Sequence, residues 1–181
     1  DSPLSILAQP GAKECCLELN SLSKAHNMAG WRIGMVAADA EVISQILKVK
    51  SQMDSGMFKP LQLAAVKALE QGSGWFTELN DEYRRRRVLA GAIFDMLGVE
   101  YDHSSAGMFL WGKVPQDVQA TEEISIGQVL SDRILYEAGV FITPGFIFGK
   151  NGEDYIRISL CAKPETLREA AERIRQAGIN R

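Results

Sequence analysis

The sequence predicts an α/β fold in which strands and helices alternate and pack in layers. Short apolar runs at 15–19 and 33–38 are joined by a turn, and those at 33–38, 108–113 and 155–161 are separated by longer stretches of helical period. Pro60, Gly98 and Pro164 fall where one pattern gives way to the next. With 181 residues, 46% of them hydrophobic, the chain can bury a substantial core.

The elements follow in order. Residues 1–14, punctuated by Pro3, Pro10 and Gly11, read as irregular. Residues 15–19 read as a short buried strand and 33–38 as a second, with a turn between them. Asp39 is suited to cap a helix reaching about Ser51, with Val42, Ile43, Ile46, Leu47 and Lys50 at helical spacing. Residues 54–60 break it. Pro60 opens the next helix, which carries Leu61, Ala64, Ala65 and Leu69 on one face and ends towards Gly72 and Gly74. A long helix from about Trp75 to Leu97 bears Leu79, Tyr83, Val88 and Ile93 and stops at Gly98. Strands at 99–102 and 108–113, a helix at 124–138 and a strand at 140–143 follow. A glycine-rich loop at 144–152, a strand at 155–161 and a helix at 164–177 complete the chain.

Composition excludes several classes. A net charge of −3 gives no general affinity for nucleic acid or acidic lipid. The basic run Arg84–Arg87 follows Glu78, Asp81 and Glu82, so a salt-bridged helix face explains it better than an anion site. No apolar run approaches the roughly 18 residues of a membrane span. Cys15, Cys16 and Cys161 form no disulfide framework and read as core-strand residues of a protein in the reducing cytoplasm. Neither they nor His26 and His103 have metal-site spacing.

The most informative stretch is Ser21-Leu22-Ser23-Lys24, followed by Asn27-Met28-Ala29-Gly30-Trp31-Arg32-Ile33-Gly34. It resembles the cofactor-lysine signature of the class I/II (fold type I) aminotransferases that use pyridoxal 5′-phosphate (PLP), near their aspartate, aromatic and LL-diaminopimelate members. The resemblance implies that Lys24 holds the cofactor as a Schiff base, and that Ser21 and Arg32 bind its phosphate. The chemistry suits these residues. A lysine is nucleophilic near neutral pH only if desolvation or nearby positive charge destabilises its ammonium. Lys24 at the end of a buried strand, with Arg32 folded back beside it, would meet both conditions. A guanidinium can also give phosphate two parallel hydrogen bonds. Gly30 and Gly34 would let the backbone turn. Taken singly, each residue is better read as an ordinary loop or surface residue; all of them in this order are not.

The resemblance covers essentially the whole chain. It implies that residues 1–58 are the end of the PLP-binding large domain, 59–74 a connecting helix, and 75–181 a small α+β C-terminal domain. In the family the lysine lies past the middle of a longer chain, so the sequence reads as the C-terminal half of such an enzyme. On that reading the 181 residues alone would bind PLP weakly and lack transaminase activity.

A second motif is Tyr155-Ile156-Arg157-Ile158-Ser159-Leu160. It resembles the family's late strand, whose arginine binds the substrate α-carboxylate. An arginine in an apolar strand is costly unless it meets an anion or lines a cavity. The alternative is that Arg157 shares an outward polar face with Tyr155 and Ser159. Gly107, in Ser105-Ala106-Gly107-Met108-Phe109, occupies the place of a family turn near the substrate side chain, although an ordinary turn glycine fits equally. Phe146 follows Pro144-Gly145 where a small residue is common, and would narrow or line the pocket. Trp31, Trp75 and Trp111 read as packing residues. In the family the region of Asp54 to Phe58 reaches across a homodimer. The implied partners are an amino acid and a 2-oxo acid, with no nucleic acid, membrane or metal. The alternatives are a PLP-dependent lyase or synthase of the same fold, and an aminotransferase-like sensor domain of a transcription regulator.

Overall fold

The structure is a computed structural model that describes residues 4–121 and 123–179. Pro3 lies outside the described residues. The chain forms two compact units, 1–76 and 77–181.

The first unit opens with a 3₁₀ turn, Ile6–Ala8, and a short helix α1, Ala12–Cys15. Strand β1 (Glu18–Ser21), helix α2 (Leu22–Ala25), a 3₁₀ turn (Ala29–Trp31) and strand β2 (Gly34–Ala37) follow. β1 and β2 are antiparallel, from Glu18 opposite Ala37 to Ser21 opposite Gly34. The strand expected at 15–19 therefore starts later, because Gly11 (φ 76°) turns the backbone into α1 and the Cys16 amide closes it onto the Ala12 carbonyl at 2.8 Å. Nor is that strand buried, since Leu19 is 72% exposed. The cysteines are not core-strand residues either. Cys15 ends α1, Cys161 lies beyond the last strand, both are exposed, and Cys16 is half-buried.

Helix α3 (Ala40–Met53) is capped as expected, with the Asp39 carboxylate accepting from the Glu41 amide at 2.8 Å. Val42, Ile43 and Ile46 are half-buried, whereas Leu47 is exposed. Helix α4 (Lys59–Leu69) has Pro60 in its first turn and ends at Leu69, short of Gly72. Its Leu61, Ala64, Ala65 and Ala68 pack on the buried trio Leu22, Met28 and Ile33. Helix α5 (Ser73–Leu97) starts in this unit and continues into the second.

The second unit holds the larger core. Its antiparallel sheet has the order β3-β4-β6-β5, with β3 at Glu100–Tyr101, β4 at Phe109–Lys113, β5 at Thr143–Pro144 and β6 at Tyr155–Ser159. Helices α6 (Ile126–Ala138) and α7 (Pro164–Gln176) complete it. β6 alternates strictly: Ile156 and Ile158 are buried with Ile93 and Phe94 of α5, Leu130 and Ile134 of α6, and Leu167 and Ile174 of α7. Tyr155, Arg157 and Ser159 take the other face and are half-buried. Burial of full-sized aliphatic side chains at about 1.5–3 kcal/mol each makes this core the main source of the unit's stability.

Of the strand expected at 140–143, only Thr143 pairs with β6, together with Pro144. Residues 140–142 close α6 instead. The Val140 amide donates to Ile134, and the buried Ser131 hydroxyl donates to the Ile142 carbonyl. The loop expected at 144–152 contains two 3₁₀ turns, Gly145–Phe148 and Lys150–Gly152. Arg84, Arg85 and Arg86 pair with Asp81 and Glu82, as the acidic neighbours suggested. Among the described residues no helix is long and apolar enough to cross a membrane.

Candidate cofactor and substrate sites

The lysine segment is a short loop nailed down by its apolar residues. Leu22, Met28 and Ile33 are at most 7% exposed, whereas Ser21, Lys24 and Arg32 between and beside them are exposed. Main-chain bonds fix this alternation: the Leu22 amide donates to Ile33 at 3.2 Å, Met28 to Leu22 at 3.3 Å and Trp31 to Met28 at 3.1 Å. Gly34 is required by the hairpin, because a Cβ there would stand 2.7 Å from the Asn20 carbonyl oxygen. At Gly30 a Cβ would meet open space.

Ser21 ends β1 and caps α2, accepting from the Ser23 amide at 3.2 Å and keeping its own hydroxyl proton to donate. Lys24 lies within α2 rather than on a plain turn between strands, because that cap lets four residues wind up. It is exposed rather than at the end of a buried strand. Arg32 has left-handed backbone (φ 52°), and its Nη1 donates to the Ala29 carbonyl at 2.9 Å. That bond turns the side chain back along its own loop and leaves Nε and Nη2 without a partner among the described residues. Asn27 is also left-handed (φ 54°). The segment thus offers a hydroxyl donor, a guanidinium edge and an exposed primary amine. This donor set fits a phosphate-bearing aldehyde such as PLP.

Two aromatics at the start of α5 reach this segment, a contact the sequence reading missed. Trp75 donates its indole N–H to the carbonyl of Ala25, the last residue of α2, at 3.0 Å. Phe76 meets the His26 ring edge-on at 5.5 Å. No period or spacing signals such a bond, so Trp75 read simply as a packing residue.

In the second unit, Arg157 stands opposite Trp111 on β4 and Thr143 on β5. Its guanidinium carbon lies 4.3 Å from the ring centre of Phe109 and 4.2 Å from that of Phe148. Its Nε is buried and has no hydrogen-bond partner. Arg157 is therefore on the face away from the helices, yet it is enclosed by aromatic rings and retains an unmet donor. Trp111 stacks on Tyr155 at 5.3 Å and 17°, and meets Phe148 edge-on at 5.7 Å. The sequence reading placed Trp111 among packing residues and passed over Phe148. The cross-strand alternation of Phe109, Trp111, Tyr155 and Arg157 was the available signal.

Gly107 has φ 90°, and its carbonyl accepts from Arg87 Nη2 at 2.6 Å. Arg87 also donates to the Ser105 hydroxyl at 3.1 Å. Phe146 is 40% exposed on the loop before β6. Asp54 and Phe58 are exposed. The Asp54 carboxyl is held below its usual range by the Lys50 ammonium and the Gly56 amide.

Fold and residues together are those of an aminotransferase chain. The family model of aminotransferase class I and II matches residues 5–174, and the chain belongs to that family. It is 41% identical to the LL-diaminopimelate aminotransferase of Oleidesulfovibrio alaskensis, over 95% of this chain and 42% of that protein. Among solved structures it is similar to BacF from Bacillus subtilis in the apo form, with a TM-score of 0.84 and 32% identity over 97% of this chain and 46% of that one. It is similar also to an aromatic aminotransferase from Pyrococcus horikoshii, with a TM-score of 0.82 and 31% identity over 97% of this chain and 47% of that one. The chain thus spans less than half the length of these relatives.

Proposed function

We propose that the protein carrying this chain is a PLP-dependent aminotransferase that moves an amino group between an amino acid and a 2-oxo acid. The observation that carries this reading is the 21–34 segment, whose apolar residues are buried while Ser21, Lys24 and Arg32 are presented outward. PLP, when bound, supplies the aldehyde for amine exchange and the electron sink for the bond broken at the substrate's Cα. Lys24 would hold the cofactor through Nζ and, once released, take the proton from that Cα as general base. Ser21 and Arg32 would hold the phosphate. Arg157 would bind the substrate α-carboxylate and so orient the Cα–H bond, with Gly107 at the substrate side chain.

The names of the relatives favour amino transfer over elimination or transcriptional sensing. We assign residues 1–58 to the end of a cofactor-binding domain, 59–74 to a connection and 75–181 to a small C-terminal domain. LL-diaminopimelate is the first amino donor to try. The working form would be a cytoplasmic homodimer. Incubation of the full-length protein with PLP, borohydride reduction and peptide mapping tests the assignment. A pyridoxyl group on Lys24 is the expected result, and one placed on another lysine overturns it.

A further inference from the structure

We infer that Phe109 and Phe148 are positioning residues that preset the Arg157 guanidinium for a carboxylate arriving in its plane. The inference rests on the reading of Arg157 as the carboxylate site and adds what makes that arginine selective. Arginine is flexible, and ordering it on binding weakens affinity unless it is ordered beforehand. Here two rings from different elements do so, Phe109 from β4 and Phe148 from the loop before β6, each about one van der Waals contact from the guanidinium carbon at 4.3 and 4.2 Å.

Phe148 is braced in turn. Trp111 meets it edge-on and is itself stacked on Tyr155. Gly145 lets the indole approach, since a Cβ there would stand 2.9 Å from Trp111 Cη2. Both rings turn their faces to the guanidinium carbon, whereas the N–H donors point outward in the guanidinium plane. The rings therefore leave the in-plane donors for a ligand. The Nη donors, which unlike Nε are not shut off from solvent, form that edge, and the buried, unpartnered Nε beside them shows that no protein acceptor has claimed the guanidinium. A carboxylate, planar and with two oxygens, matches that edge.

The test uses the 181-residue chain labelled with ¹⁵N at arginine, with propionate as the probe. In the unliganded chain the Arg157 Nε–H proton should be shifted upfield by the rings, with part of the shift lost in Phe109→Leu and part in Phe148→Leu. Propionate should move the resonance downfield, with affinity roughly fivefold weaker in either leucine variant and recovered in Phe148→Tyr. Leucine keeps apolar bulk, so loss of packing alone would not give this pattern, and backbone spectra verify that each variant is folded. A wild-type response that persists with unchanged affinity in both leucine variants overturns the positioning role while Arg157 stands as the carboxylate site. No response of Arg157 to propionate in the wild type overturns the underlying reading and the inference with it.

Discussion

Arg87 donates to the main-chain carbonyl of Gly107 at 2.6 Å, so the last arginine of the basic run steadies a turn. Its three predecessors are paired with acids on their own helix. The turn it holds leads directly into Phe109. Arg87→Ala removes this exposed bond together with the part-buried one to the Ser105 hydroxyl, and should lower stability by about 1–2 kcal/mol. The same change at Arg84, whose pair is solvent-exposed, should cost less than about 0.5 kcal/mol. Urea unfolding of the two variants side by side gives the comparison.

Leu22 and Lys24 are two residues apart and should respond oppositely to truncation. Leu22→Ala removes a side chain 2% exposed at the centre of the small cluster, and should cost about 2–4 kcal/mol. Lys24→Ala should leave stability within about 0.5 kcal/mol and, in the full-length protein, abolish labelling by equimolar PLP and borohydride. Chemical denaturation and mass spectrometry measure the two effects.

The Glu82 carboxyl is held below its usual range, first by its hydrogen bond from Arg86 and then by the charges of Arg86 and Arg85. A folded-state value below the unfolded one adds stability at pH values above the unfolded value of 4.5. That contribution is lost as pH falls through the folded value. Urea midpoints taken downward from pH 7 should fall on the acid side, and Glu82→Gln should flatten part of that decline. An identical acid limb in wild type and variant would show that the pair does not contribute.

Gly145 and Gly152 approach so closely that a Cβ on either would run into the carbonyl oxygen of the other. Alanine at either position should cost about 1–3 kcal/mol through overpacking, read as a lower melting temperature. Alanine at Gly149 meets no such obstacle, but its φ of 116° adds backbone strain, so its cost has a different origin.

The sequence was most legible where local chemistry dictates structure. Asp39 capped its helix, Pro60 and Pro164 opened theirs, and Gly98 stands just past the end of α5 with left-handed backbone. It misled where apolar composition stood in for pairing. Residues 15–17 are apolar, but Gly11 winds the chain into α1 just before them. Residues 140–142 are apolar, but their backbone is engaged by α6. The motif around Lys24 could be read because its residues are contiguous. The contact of Arg157 with Phe148 could not, since it joins a strand to a loop that meets it only in the folded unit.

The Gly145–Gly152 crossing has a consequence for how this protein can change. The ends of the 145–152 loop are locked by main chain against main chain, so its position does not depend on the exposed side chains that it carries. Phe146 and Ile147 are 40% and 55% exposed, outside the ring cluster around Arg157. Replacements there can reshape the surface beside Arg157 without disturbing the arginine or its rings. An anchor and a variable wall are thus carried by one short stretch of chain, and selection or a designer can alter the second while leaving the first in place.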